Sequence, residues 1–338
     1  MNQPEEQAQR VQEGVQPHLY ILLNAGSGHE ETEHQQGIIE GALRQAAQPY
    51  TLKVVEDPSR LPELARHMAA QAVAGGGVLV AAGGDGTINT VAAEAVEAGC
   101  PFGVLPQGTF NYFGRTHGIP EDLGEAVQAL LTARVQPVQV GQVNDRIFLV
   151  NASIGLYPQI IEEREADKKQ FGRSRLVALL SMIKTALGRS QYLRIHMELE
   201  GKVHTMRTAM LFVGNNSLQM EQLGIMPLSS ALEDGKLAAI APKSVGRLGM
   251  MGLMLRGAIG KLGGASNLVA FSFKSLGVKQ RTLYGTRRKI KVATDGEVCQ
   301  LDTPLRFRVL NGQLLLMKPV PAPEPQAPQA SGTEQAAA

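Results

Sequence analysis

Residues Val78–Val96 read VLVAAGGDGTINTVAAEAV, and the reading of this stretch decides the fold. Five small apolar residues make a short buried strand, a glycine-rich turn follows, and an apolar helical pattern resumes near Thr87. Glycine weakens strands and helices alike. Three glycines around one carboxylate therefore mean a backbone that must be exposed and closely approached. N–H groups can turn there toward a guest without obstruction by Cβ. The helix that follows adds unpaired N–H groups and the positive end of its dipole, which makes an anion site. Asp85 inside an anion site needs a cation to mediate, and Mg²⁺ shared with phosphate oxygens would serve. The plainer alternative is a tight turn in which Asp85 caps the helix.

Working outward, LYILLN (19–24) and PFGVLP (101–106) are further short apolar runs bounded by glycine. Helical patterns fall at Gly37–Ala47, Leu61–Ala74, Thr87–Ala98 and Leu123–Thr132. Strands alternating with helices predict βαβ units and a mostly parallel, Rossmann-like sheet. Ligands of such sheets bind beyond the carboxyl ends of the strands. Two more phosphate-friendly loops fall at those ends: NAGSG (Asn24–Gly28) after the first strand and LPQGTFNYFGR (Leu105–Arg115) after the third. Three such loops on neighbouring strand ends form one mouth.

From about Val135 the texture changes to strand-like runs with turn residues between them, which predicts a second, mainly antiparallel β-sandwich domain. Two oily helical segments interrupt it. Arg173–Arg189 places Leu176, Leu180, Ile183 and Leu187 on one face, and the segment from Gly246 to Gly264 places Leu248, Met251, Leu255 and Ile259 likewise. They either cover a sheet or meet lipid, as an acyl-chain wall or a surface anchor.

With 338 residues, 43% hydrophobic and 19% charged, the chain is ordinary globular material of two domains. A net charge of +2 leaves any basic surface local. Between Lys274 and Lys291 lie seven Lys or Arg and no acidic residue. An anionic membrane surface is one partner for such a run, and a solvated strand face is the plainer account. Aromatic residues at 4% without Trp argue against base stacking, so no nucleic-acid partner is expected. Cys100 and Cys299 are too far apart in sequence to suggest a disulfide framework or a metal site, which fits a reducing compartment. No run approaches the length of a membrane span, and the polar start does not resemble a signal peptide. The expected location is cytoplasmic with peripheral membrane association.

Taken together, NAGSG, GGDGTIN, LPQGTFNY and TDGEV, in this order, resemble the diacylglycerol kinase catalytic-domain family, which includes bacterial lipid kinases and sphingosine kinases. The likeness runs from Leu19 to Pro319. GGDGT alone is shared with NAD kinases and phosphofructokinases, whereas the full set is specific. Pattern and resemblance together place domains at 17–134 (nucleotide-binding, completed by 305–319) and 135–304 (β-rich, lipid substrate), and composition predicts disordered ends at 1–16 and 320–338, the latter rich in Pro, Ala and Gln.

By match to the family, Asn24, Gly26, Ser27, Gly28, Gly83, Gly84, Asp85, Gly86, Thr87, Ile88, Asn89, Gly108, Thr109 and Asn111 would hold ATP. Asp85 would act through catalytic Mg²⁺. Asp295 and Glu297 of TDGEV would supply the base, with Glu297 favoured as proton acceptor and Asp295 beside it. In an extended segment the two would point the same way. The plainer reading of that stretch is a type I′ or II′ hairpin turn around Gly296. ALEDGKL would form a structural Mg²⁺ site from the Asp234 side chain and the carbonyls of Ala231 and Lys236, or else a plain hairpin turn. Two departures stand out: Ala25 replaces the family's loop proline, and Tyr112 replaces an acidic-network Asp.

The implied activity is ATP- and Mg²⁺-dependent phosphorylation of a lipid hydroxyl in an interdomain cleft, on diacylglycerol, phosphatidylglycerol or a sphingoid base. The alternatives are an NAD-kinase-like kinase of a soluble substrate and a non-catalytic nucleotide or lipid sensor. Sheet edges in the second domain leave a homodimer open.

Overall fold

The computed structural model describes residues 16–26, 29–108, 110–162, 192–199, 201–282, 285–286 and 289–320. The first oily segment, Arg173–Arg189, and the tail beyond residue 320 lie outside them.

Four strands, β1 (Leu19–Asn24), β2 (Tyr50–Val55), β3 (Val78–Gly83) and β4 (Phe102–Pro106), form a parallel sheet in the order β2-β1-β3-β4. Its helices are α1 (His29–Gln45), α2 (Leu61–Gly75), α3 (Asp85–Ala98), α4 (Tyr112–Thr116) and α5 (Leu123–Leu131). Every residue of β3 and β4 is buried, as expected of central strands covered by helices on both faces. β2 is an edge strand whose first five residues alternate between half-buried and exposed before the buried Val55, so the short apolar runs did not reveal it. Helix α1 begins at His29 rather than at Gly37. Its first two turns, HEETEHQQ, carry no apolar face, and acidic Glu30 and Glu31 favour the helix start through the dipole.

The chain then runs through β5 (Arg134–Val143), β6 (Arg146–Phe148) and β7 (Asn151–Gly155), and after the undescribed stretch through β8 (Leu193–Leu199), β9 (Lys202–Thr208) and β10 (Met210–Gly214). Helices α6 (Ser217–Gln222) and α7 (Met226–Glu233) precede β11 (Leu237–Pro242), and α8 (Arg247–Ala258) follows it. The last elements are β12 (Leu268–Phe273), β13 (Ser275–Thr282), β14 (Gly285–Thr286), β15 (Lys289–Thr294), β16 (Glu297–Asp302) and β17 (Leu305–Lys318).

Among the described residues, one sheet of six antiparallel strands has the order β12-β11-β10-β7-β15-β16. It faces β13, β8 and the first half of β17 across a core that includes Phe148, Ile154, Leu211, Val213, Val278, Val292 and Phe307. Helices α6 and α7 cover the outer side of β10 and β11 through Met220, Ile225, Leu228 and Leu232 against Phe212 and Ile240. The fold is thus the expected combination of a parallel α/β unit and an antiparallel β-sandwich.

β17 belongs to both units. Its first half pairs with β13, its end meets β4 in parallel at Leu316, and β5 runs along it with an irregularity between Leu310 and Leu314. Accordingly Leu305 and Phe307 lie in the sandwich core, while Leu314, Leu316 and Met317 lie in the α/β core.

Candidate active site

The ends of β1, β3 and β4 are adjacent in the parallel sheet, and their loops touch. The Asn24 side-chain amide donates to Thr87 Oγ1 at 2.9 Å. The Gln107 N–H donates to the Gly83 carbonyl at 2.9 Å. A Cβ added to Gly108 would come within 3.2 Å of Gly84 Cα, so the second and third motifs meet backbone to backbone. Asn111 has left-handed φ (45°) and turns its Oδ1 back to the Gly108 N–H at 3.0 Å.

Helix α3 starts at Asp85, two residues earlier than the sequence pattern indicated. Its N-cap is Gly84, with no side-chain capping bond. Thr87, Ile88 and Asn89 therefore lie within the first turns of the helix, with Thr87 and Ile88 buried. Asp85 does not serve as the cap. One oxygen of its carboxylate, Oδ1, is buried without a hydrogen-bond partner. Burial pushes the Asp85 pKa up, opposed by a hydrogen bond to the Asn111 backbone. Asn24 Oδ1 is likewise buried and unpartnered. Two orphaned acceptor oxygens from loops that touch each other are unfavourable as they stand, and a hard divalent cation with oxygen ligands satisfies such a pair. The residues fit Mg²⁺ here. Gly26, in the middle of the first loop, is exposed. Ser27, Gly28 and Thr109 lie outside the described residues.

Asp295 and Gly296 do not form an extended segment. They are the two-residue turn between β15 and β16, with φ of 47° and 90°, and Thr294 pairs with Glu297 across it. This is the left-handed pair that a type I′ hairpin requires. The Asp295 carboxylate turns inward. Leu149 N–H and the Asn89 side-chain amide donate to Oδ2 at 2.7 and 2.6 Å, while Val150 and Asn151 N–H donate to Oδ1 at 2.9 and 2.8 Å. Burial pushes its pKa up to about 6, against these four donors, which lower it. A carboxylate with two acceptors filled on each oxygen has little left for a substrate proton.

Glu297 is different in kind. It is exposed, and its Oε1 hangs 2.9 Å from where a Cβ on Gly86 would lie. Its carboxylate thus rests over the first turn of α3, at Gly86. It also lines an open groove of about 1090 Å³ whose other walls include Asn89, Thr90, Asn144, Arg146 and Arg308.

Several residues that motif reading missed tie the two units together here. Tyr112 donates its hydroxyl to Gln222 at 2.9 Å, and Asn216 donates to the Tyr112 carbonyl and the Thr116 hydroxyl at 3.1 and 2.7 Å. Asn215 donates to the Leu149 carbonyl at 3.0 Å. The adjacent pair NN after the apolar run LFVG was the one available signal, since two amides at a strand end need partners.

The Asp234 region is not a hairpin turn. Gly235 N–H donates to the Leu232 carbonyl at 3.1 Å and Lys236 N–H to the Ala231 carbonyl at 3.2 Å, with Gly235 at φ 71°. That is a Schellman cap ending α7. The Lys236 carbonyl accepts from the Gln139 side-chain amide at 3.2 Å, and Asp234 is exposed. The Ala231 and Lys236 carbonyls each take one N–H and keep a second lone pair. Among the described residues, no three His, Cys, Asp or Glu gather as metal ligands.

Comparison with known proteins agrees with the motifs. The sequence profile of the diacylglycerol kinase catalytic domain matches residues 18–143. A protein of Cronobacter sakazakii named "Probable lipid kinase YegS-like" is 31% identical over 143 residues, covering 40% of this chain and 45% of that one. The protein of the same name from Pseudomonas aeruginosa PAO1 is 33% identical over 156 residues, covering 45% and 48%. The matched segments thus span less than half the length of these curated relatives. A diacylglycerol kinase structure from Bacillus anthracis str. Sterne superposes with TM-score 0.63 at 18% identity, over 90% of this chain and 97% of its own. A second structure from that organism gives TM-score 0.69 at 20% identity, over 90% and 98%. The family resemblance carried by the motifs is thereby shown: residues 18–143 match the diacylglycerol kinase catalytic domain, within a chain that has the two-unit fold of those Bacillus structures.

Proposed function

We propose that this chain is an ATP- and Mg²⁺-dependent lipid kinase that transfers the γ-phosphoryl group to a hydroxyl of a membrane lipid in the cleft between its two units. The observation that carries this reading is the position of Glu297, a free carboxylate set over Gly86 at the start of α3. A hydroxyl held there lies between a proton acceptor and an anion-binding helix end.

The roles then separate. The α3 N-terminus and the backbone of Gly83–Gly86 and Gly108 receive phosphate oxygens. Asp85 and Asn24 hold Mg²⁺, which when bound neutralises charge on the transferring group. Glu297 takes the proton of the attacking hydroxyl. Asp295 positions rather than reacts: its four hydrogen bonds fasten the β15–β16 turn to residues 149–151 and to α3, which fixes where Glu297 stands. The groove beside Glu297 receives the acceptor headgroup, and the protein meets the membrane peripherally from the cytoplasmic side.

The test uses the purified chain with Mg²⁺, γ-labelled ATP and a total bacterial lipid extract in detergent. Label entering the organic phase, and absent with Asp85→Ala, is the expected result and identifies the acceptor. Absence of label despite measurable ATP binding, with a sphingoid-base panel included, would move the assignment to a soluble acceptor or a sensor.

A further inference from the structure

Exposed apolar side chains are concentrated in one place. Seven large hydrophobic residues are exposed among the described residues: Phe110, Val203, Met226, Met251, Leu255, Ile259 and Val320. Five of them sit on elements that converge on the turn Gln222–Gly224. Phe110 stacks on Tyr112, whose hydroxyl holds Gln222. Met226 opens α7 directly after the turn. Met251, Leu255 and Ile259 belong to α8 and its C-cap, and the chain after α8 returns to the same turn. There Leu262 N–H donates to the Leu223 carbonyl at 3.0 Å, and a Cβ on Gly224 would collide with the Gly260 carbonyl.

On α8 the three residues recur every four positions and so share one side of the helix. Leu255 and Ile259 are 66% and 58% exposed, far more than a helix covering a sheet requires of its apolar face. Leu253 and Met250 supply the buried side instead. The ridge is flanked by exposed Arg256 and Lys261. Between Asp234 and Asp295 the sequence contains twelve Lys or Arg and no acidic residue. An apolar ridge framed by cations, in a segment free of carboxylates, is complementary to an anionic lipid interface.

We infer that the Met251–Leu255–Ile259 ridge of α8 is a membrane-docking edge that inserts among the acyl chains of an anionic bilayer, with Arg256 and Lys261 against the headgroups. This rests on the reading of the acceptor as a lipid and adds which face meets the bilayer. The Gln222–Gly224 turn links the ridge through Tyr112 to the third phosphate loop. A lipid leaving the bilayer at this edge therefore emerges beside the catalytic mouth.

The test measures partition of the full chain onto vesicles by flotation, without nucleotide. Vesicles of phosphatidylcholine alone are compared with vesicles containing phosphatidylserine, which has no acceptor hydroxyl. The native chain is expected to float with the anionic vesicles and to be released by salt. The double substitution Leu255→Ser, Ile259→Ser should lower partition at least about tenfold per residue with an unchanged melting temperature and elution volume. Arg256→Gln with Lys261→Gln should weaken binding to anionic vesicles alone. Equal partition of native and double-substituted chains would overturn the proposal, as would failure of the native chain to bind any vesicle. Equal binding to neutral and anionic vesicles would overturn its electrostatic half. A lower melting temperature in the double variant, or a dimer that becomes a monomer, would also overturn it, by showing that the ridge is packed against protein. Because no phosphoryl transfer is measured, these outcomes are independent of the kinase assay. Label transfer without ridge-dependent flotation sinks only the docking edge.

Discussion

Of the chain's three Asp-Gly dipeptides, 85–86 opens α3, whereas 234–235 and 295–296 both lie at turns and have opposite fates. In both, glycine takes the left-handed conformation that ends or reverses an element, with φ of 71° and 90°. At 234–235 the backbone does all the work: a Schellman cap closes α7 and the Asp234 side chain is exposed. At 295–296 the aspartate is itself in the turn, and its carboxylate gathers four N–H donors, from Asn89 of α3 and from Leu149, Val150 and Asn151 where the chain enters β7. The lesson is that the same dipeptide at a turn says nothing about its carboxylate, which matters only where donors are brought to it from elsewhere in the chain.

If that contrast is sound, substitution should affect the two copies very differently. Asp295→Ala leaves three backbone N–H groups and the Asn89 amide unpaired, and should cost about 3–5 kcal/mol in unfolding free energy, measured by denaturant titration, with loss of turnover. Glu297→Gln keeps the hairpin and removes the proton acceptor. It should lower kcat by about 10²–10⁴-fold while the melting temperature stays within error. Gly86→Ala sharpens the point, since its Cβ would sit 2.9 Å from Glu297 Oε1. Alanine suits a helix better than glycine, so stability should hold or rise slightly while kcat falls about tenfold through displacement of Glu297. A fall in both would mean that Gly86 is needed for the fold instead. Asp234→Ala should change stability by no more than about 0.5 kcal/mol, equally with and without chelator. A chelator-dependent loss in the native chain that Asp234→Ala abolishes would restore a metal to that turn.

The parallel sheet was legible because β1, β3 and β4 are continuous apolar runs ending in glycine-rich loops. The sandwich was legible because its strands come in quick succession between turn residues. What failed had local physical causes. β2 is an edge strand whose apolar residues Tyr50, Leu52 and Val54 alternate with Thr51 and Lys53 rather than forming a continuous run, and α1 begins in a polar turn whose only signal is acidic charge. The extended reading of Asp295–Glu297 failed because alternation applies within a strand, and Asp295 lies in the turn. Of the candidate site, the motif residues could be named, but not what fastens them. Three of the four donors to Asp295 are backbone groups at Leu149, Val150 and Asn151, more than 140 positions away. Backbone groups leave no trace in residue type. The bond between Tyr112 and Gln222 spans 110 positions and is equally invisible to spacing.

The path of β17 bears on how the chain comes into being. Leu314, Leu316 and Met317 pack into the α/β core formed mainly by residues 19–150, and the strand fills the place beside β4. A ribosome delivers that core's first strands long before it delivers this one. During synthesis β4 and β5 must wait, edges unpaired, while the whole sandwich is made and threaded between them and their partner. Closing so long a loop is slow, and the waiting edges invite pairing with other nascent chains. The unit that reads first in the sequence is therefore finished only when β17 arrives, and a ribosome stalled before residue 305 would hold a half-built sheet.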